Sequence, residues 1–98
     1  MKKNIAMRWI KALRSGKYKQ ARSALRNKKV GYCCLGVLCE ISKLGKFNRY
    51  DEYCGQRNVL PEKVMKWAEI NDECGRIPNI GRLTALNDNN SSYNKITL

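Results

Sequence analysis

One stretch of the chain is almost free of charge and constrains the fold more than any other: Gly31-Tyr32-Cys33-Cys34-Leu35-Gly36-Val37-Leu38-Cys39-Glu40-Ile41. Within it, Leu35, Leu38 and Cys39 follow one another at helical spacing, and most of the remaining positions are apolar too. A segment with more than one apolar face is typical of a helix that is covered on most sides. We therefore predict a central buried helix over residues 33–42.

Gly36 lies in the middle of this predicted helix. Glycine in a helix interior is less favourable than alanine by about 1 kcal/mol. A second element that approaches closely at this point would require the absence of a side chain. A neutral small residue would explain the glycine equally well, so the sequence leaves both explanations open.

An amphipathic helix is predicted over residues 4–14, ahead of the central helix. Ile5, Trp9 and Leu13 form its apolar stripe, and Gly16 suits the left-handed conformation that ends a helix. We expect Trp9 to be buried in the core.

A third helix is predicted over residues 60–68. Pro61 suits its first position, and Glu62 complements the positive end of the helix dipole. Val64, Trp67 and Ala68 are expected to form its buried face.

Residues 17–30 fit either of two structures. Tyr18, Ala21 and Leu25 would share one face of a helix, whereas turn-forming residues beside a β-branched one fit a short hairpin. We predict the hairpin, near residues 24–32.

The remaining segments predict connections. Residues 42–56 predict a loop. Its aromatic residues either pack the loop against the core or line a pocket: Phe47, Tyr50 and Tyr53. Residues 71–81 predict a connection in which Pro78 favours an extended turn. A short unit over residues 83–88 and a single helical turn that contains Tyr93 and Ile96 are expected to follow.

The length of 98 residues predicts one domain, 1–98, with one core. The predicted fold is mainly α, or α+β with at most a short β-hairpin near residues 24–32. No stretch has the 18 or so apolar residues of a membrane span, so we expect a cytoplasmic protein with no membrane partner.

The reactive residues argue against catalysis. The chain has no histidine, and its five cysteines lack the close pairs of a typical zinc site. We expect Cys33, Cys34 and Cys39 to act as small buried hydrophobes. No triad, phosphate-cradling glycine loop or paired-carboxylate site is evident. We therefore expect a protein that is not an enzyme and that has no metal and no cofactor.

Positive charge is concentrated at the start of the chain. Residues 1–30 contain eleven Lys and Arg residues and no acid, whereas residues 31–98 contain nine basic and eight acidic residues. Such a segment attracts anionic ligands or polyanions, unless it serves only as a solvated face. The expected ligand-binding residues are Arg14, Lys17, Tyr18, Lys19, Arg22 and Arg26.

Several motifs resemble those of a widespread group of small proteins from tailed phages and prophages. The motifs are Trp9-Ile10-Lys11-Ala12-Leu13-Arg14-Ser15-Gly16-Lys17-Tyr18-Lys19-Gln20, Tyr32-Cys33-Cys34-Leu35-Gly36-Val37-Leu38-Cys39, and the later Trp67-Ala68 and Leu86-Asn87-Asp88. The resemblance implies a phage accessory protein, and it carries over no catalytic or binding residue. Such proteins often antagonise bacterial defence or host regulation.

Three functions are consistent with these features, and we predict the first, with the other two as alternatives. The first is the capture of an anionic nucleotide-type ligand, in which Lys and Arg hold phosphates and a symmetric homo-oligomer encloses the ligand. The second is nucleic-acid binding, which the charge of residues 1–30 suits equally well, although no clean helix-turn-helix is present. The third is inhibition of an acidic protein partner, such as a host nuclease or CRISPR-type defence complex.

Overall fold

The computed structural model describes residues 2–70, 76–77 and 81–82. In chain order its elements are α1 (Lys3–Arg14), β1 (Arg26–Asn27), β2 (Gly31–Tyr32), α2 (Cys34–Ser42), α3 (Glu62–Ala68), β3 (Arg76–Ile77) and β4 (Gly81–Arg82). The described part is a small single domain of mixed α and β structure that is rich in helix. The expected 83–88 unit and final helical turn lie outside the described residues.

The central helix α2 forms where the uncharged stretch predicts it. Cys33 is its N-cap, and every residue from Cys34 to Cys39 is buried. The helix packs against α1, whose buried residues are Ile5, Trp9 and Leu13. The indole Nε1 of Trp9 donates a hydrogen bond of 2.9 Å to the Cys34 carbonyl, so the buried indole has a partner and joins the two helices.

The hairpin predicted near residues 24–32 is confirmed. β1 and β2 pair antiparallel, with Arg26 opposite Tyr32 and Asn27 opposite Gly31. The preceding segment also pairs with β2, because the Tyr32 amide donates to the Lys19 carbonyl at 2.8 Å. A side chain at Gly31 would overlap that carbonyl, so the close pairing requires glycine.

Gly36 marks the contact between the hairpin and α2. A Cβ atom at this position would overlap the carbonyl oxygen of Leu25, which also accepts a hydrogen bond of 3.1 Å from the Cys33 amide. Close approach of another element is therefore the correct explanation for this glycine.

Helix α3 differs from the prediction in two details. Pro61 is extended, with φ −61° and ψ 147°, and is the N-cap rather than the first helical residue. Trp67, expected in the buried face, is only half-buried. Val64 and Ala68, four residues apart, form the buried face, and Trp67 lies to one side of it.

The expectation of at most one hairpin was wrong. β3 and β4 form a second antiparallel pair, with Arg76 opposite Arg82 and Ile77 opposite Gly81, where only a connection was predicted. Ile77 precedes proline, and a residue in that position is restricted to extended conformations. This preference is compatible with a strand as well as with the extended turn that Pro78 predicts.

Candidate anion-binding site

An open groove of about 500 Å³ lies where α1, the turn after it and the end of α2 meet. We call it the basic groove. Its lining residues are Arg8, Lys17, Tyr18, Glu40, Ile41, Lys43, Gly45 and Lys46. They come from three separate parts of the chain, and the fold brings them together.

The turn after α1 directs Lys17 and Tyr18 into the basic groove. Gly16 has φ +79°, which lets the chain reverse directly after the helix. The hydroxyl of Ser15 donates to the Ala12 carbonyl at 2.7 Å and accepts from the Lys17 amide at 3.1 Å. The turn therefore satisfies polar groups at the helix end while it positions Lys17.

The end of α2 positions Lys43 and Lys46 on the other side. Lys43 is the C-cap in the left-handed conformation, with φ 57°. Beyond it, the amide of Gly45 donates a hydrogen bond of 2.7 Å to the hydroxyl of Tyr53, whose side chain is fully buried. Tyr53 thus fixes this loop to the core, as expected if loop aromatics pack inward.

The basic groove has an excess of positive charge. Four cations and one carboxylate line it, which leaves a formal charge of +3. In the described part of the chain, none of the four cations forms an ion pair with a carboxylate. The carboxyl end of α2 favours a cation nearby, which accounts for part of the excess at Lys43. Lys17 follows the end of α1 in a similar way, whereas Arg8 lies in the middle of α1 and has no such explanation.

Tyr18 adds an aromatic ring and a hydrogen-bond donor to the basic groove. The ammonium of Lys17 lies 5.6 Å from the centroid of this ring. Partial burial, and secondarily the negative charge of Glu40, raise the pKa of the Tyr18 phenol above its ordinary value of 10.0. The phenol therefore remains protonated at physiological pH and can donate to an anion.

The six predicted binding residues do not form one site. Lys17 and Tyr18 line the basic groove. Lys19 and Arg26 line a second groove beside the hairpin, and Arg14 lines a mostly apolar groove on the outer face of α1. Arg22 is exposed and lines none of these three grooves.

Arg26 stabilises the fold. Its Nε forms an ion pair of 2.8 Å with Asp51, and its guanidinium also donates to the Asn48 carbonyl at 3.0 Å. The same group lies 4.8 Å from the centroid of the Phe47 ring. These contacts hold the hairpin against the loop that follows α2. They leave the Arg26 side chain little freedom to bind a ligand.

Sequence reasoning missed three cations of the basic groove: Arg8, Lys43 and Lys46. The two lysines lie outside residues 1–30, the segment without acids in which the binding residues were expected, whereas Arg8 lies inside it. Arg8 belongs to that segment and lies off the apolar stripe of α1, and the two lysines follow the predicted end of α2. Cations directly after the central helix were the signal that could have found the lysines.

The cysteines behave as the sequence predicts. Cys33, Cys34 and Cys39 are buried, and Cys54 is exposed. Burial, with smaller contributions from neighbouring thiols and Glu40, raises the pKa of the Cys39 thiol far above its ordinary range. Among the described residues no group of three or more Cys, Asp and Glu could hold a metal ion. None of the helices described is long and apolar enough to cross a membrane.

Comparison with known proteins gives one match. A family model described as "Domain of unknown function (DUF8296)" matches residues 1–98. No curated protein and no solved structure matches the chain.

Proposed function

The chain belongs to the DUF8296 family, and for this member we propose that it captures an anionic nucleotide-type ligand in the basic groove without converting it. One observation carries the proposal: four cations without ion-pair partners in the described part surround one groove that contains an aromatic ring.

Each lining residue has a chemical use in this proposal. The guanidinium of Arg8 suits bidentate contact with a phosphate, and the three lysines act as point charges. The protonated phenol of Tyr18 donates a hydrogen bond, and its ring offers a surface for a base or a sugar. The volume of about 500 Å³ lies within the usual range for small-ligand sites.

The residues that line the basic groove favour binding of the ligand over its chemical conversion. Glu40 is the one carboxylate there, and neither histidine nor cysteine accompanies it. Since the groove is open, enclosure of a ligand would need a second surface. We propose that a second copy of the chain supplies it, in a symmetric homo-oligomer.

The biological role is proposed from the resemblance to small phage proteins. A protein that sequesters a signalling nucleotide in the host cytoplasm would antagonise host defence and would need no catalytic group. Retention of a small anion is consistent with a net charge of +12 and with the uneven distribution of that charge.

Isothermal titration with a nucleoside triphosphate tests the site. Lys17→Ala and Lys43→Gly should each weaken binding about tenfold or more, because each removes a charge-assisted contact. Lys43→Gly retains a residue that adopts the left-handed conformation easily, so the substitution introduces no backbone strain at the helix end.

Lys11→Ala is the matched control. It removes the same charge from the outer face of α1, which is separate from the basic groove. Its affinity should remain within about twofold of the wild type, because Lys11 does not line the basic groove and an exposed charge that makes no contact with the ligand is screened by salt. Equal losses in all three variants would show non-specific attraction and would contradict the proposed site.

Nucleic-acid binding is the second candidate, and the charge of residues 1–30 favours it. The two functions differ in salt dependence, since each phosphate contact on a polymer releases counterions. Tight duplex binding that weakens steeply with salt, with no retained nucleotide, would favour this candidate. If neither ligand binds, inhibition of an acidic host protein remains the third candidate.

A further inference from the structure

A second basic groove, of about 250 Å³, lies beside the hairpin. We call it the hairpin groove. Its lining residues include Lys19, Arg26, Asn27, Lys28, Lys29 and Tyr32. The site proposed above does not use it.

The two grooves meet at a pair of tyrosines. Tyr18 lines the basic groove and Tyr32 lines the hairpin groove. Their ring centroids are 5.2 Å apart and the rings are perpendicular, at 88°. One aromatic ridge therefore separates two cationic surfaces.

The ridge is held rigidly by the core. Tyr32 packs edge-on against Phe47, with ring centroids 5.7 Å apart, and Phe47 packs in the same way against Tyr53 at 5.0 Å. Tyr53 is fully buried. The two outer rings are half-buried, so part of each ring stays accessible to a ligand.

The hairpin groove is also preformed. The ion pair with Asp51 holds the lining residue Arg26 in place, and the side chain of Asn27 accepts a hydrogen bond of 3.0 Å from the Lys29 amide. The ammonium of Lys28 donates to the Arg49 carbonyl. Lys29 is exposed and forms no ion pair in the described part, so its ammonium can bind an anion.

We infer that the ligand is a short oligonucleotide, linear or cyclic, with one phosphate in the basic groove, a second in the hairpin groove and a base against the Tyr18–Tyr32 ridge. This inference rests on the proposed function and names its ligand class. Alternation of cations with aromatic rings is the arrangement that binds single-stranded nucleotides, because the cations follow the phosphates and the rings stack on bases. A mononucleotide would fill only one of the two grooves.

Titrations of the full chain with four probes test the inference: adenosine monophosphate, a 5′-phosphorylated linear dinucleotide, a cyclic dinucleotide and a 20-nucleotide single-stranded DNA. At least one dinucleotide should bind about tenfold more tightly than the mononucleotide, as one added charge-assisted contact predicts. The dinucleotide that binds more tightly shows whether the two phosphates belong to a linear or to a cyclic ligand.

Two variants separate this inference from the proposed function. Lys29→Ala should weaken dinucleotide binding about tenfold and leave mononucleotide binding within about twofold. Lys43→Gly should weaken both. Lys63→Ala, on the exposed face of α3, is the control that removes a charge remote from either groove and should change neither.

Each remaining result would overturn one conclusion. Equal affinities for mononucleotide and dinucleotide, or no effect of Lys29→Ala, would overturn the two-groove ligand and leave the basic groove standing. Tighter binding of the 20-nucleotide DNA than of either dinucleotide would overturn the short ligand. No binding of any nucleotide would overturn the proposed function itself.

Discussion

The effect of replacing Gly36 depends on Leu25, a residue that is distant in the sequence and close in the fold. Helix propensity alone predicts that Gly36→Ala stabilises the protein by about 1 kcal/mol. The structure predicts the opposite sign, because the new methyl group would overlap the Leu25 carbonyl oxygen. We expect the free energy of unfolding to fall by about 1–3 kcal/mol, as in other overpacked cores, and urea denaturation would measure it.

Glu40→Ala, at an exposed position of the same helix, is the control for that measurement. It should change the free energy of unfolding by no more than about 0.5 kcal/mol. A Gly36→Ala protein as stable as the wild type would show that the hairpin can move away from α2.

Sequence reasoning could recognise an unusual glycine but could not choose its explanation. The partner of Gly36 is a backbone atom eleven positions earlier, and its approach depends on the path of the hairpin. The same limit applies to the basic groove, because Arg8 precedes the central helix in the chain and Lys46 follows it. Of the cations and rings that line it, Lys17 and Tyr18 were predicted, and Arg8 could have been predicted with them because it belongs to the same segment without acids.

At the scale of elements, the strength of the local pattern determined which predictions succeeded. The apolar stripe of α1 and the uncharged run of α2 are long, so periodicity located both helices to within one residue. All four strands have two residues and hence no period to detect. Turn-forming residues indicated the β1–β2 pair, but the region of β3 and β4 was read only as a connection. The fully buried Tyr53 was assigned only to a loop, because a single aromatic residue does not reveal which way it points.

Tyr53 offers a test of how one loop supports the site. Its hydroxyl accepts from the Gly45 amide at 2.7 Å and lies 3.3 Å from the hydroxyl of Ser42. Tyr53→Phe should lower the free energy of unfolding by about 0.5–1.5 kcal/mol, the usual cost of such a hydrogen bond. Nucleotide affinity should also fall, since Lys43 and Lys46 flank the released amide.

Tyr50→Phe is the matched control, because Tyr50 is exposed and lies in the same loop. Denaturation and titration of both variants should show a loss of stability and affinity for Tyr53→Phe alone. Unchanged affinity in a destabilised Tyr53→Phe protein would mean that the loop keeps its position without this hydrogen bond.

At the scale of the whole molecule, charge opposes folding. The net charge is +12, and residues 1–30 contain no acid to compensate their eleven cations. Self-repulsion of this kind destabilises a compact state and is screened by salt. The Debye length falls from about 30 Å at 0.01 M to about 8 Å at 0.15 M ionic strength, which is smaller than the dimensions of the domain, 34 × 27 × 21 Å.

The melting temperature should therefore rise with sodium chloride over that range, and it should rise further with inorganic triphosphate at the same ionic strength. A ligand that binds only the folded state stabilises it by about 2.7 kcal/mol at one hundred times its dissociation constant, and each 1 kcal/mol corresponds to roughly 4–8 °C in a domain of this size. Scanning calorimetry would measure both effects. Lys43→Gly should keep the response to chloride, because general screening needs no particular groove. It should lose about half of the response to triphosphate, since a tenfold loss of affinity leaves about 1.4 of the roughly 2.7 kcal/mol. A variant that responds to triphosphate as the wild type does would show that the anion acts on the overall charge and not at the basic groove.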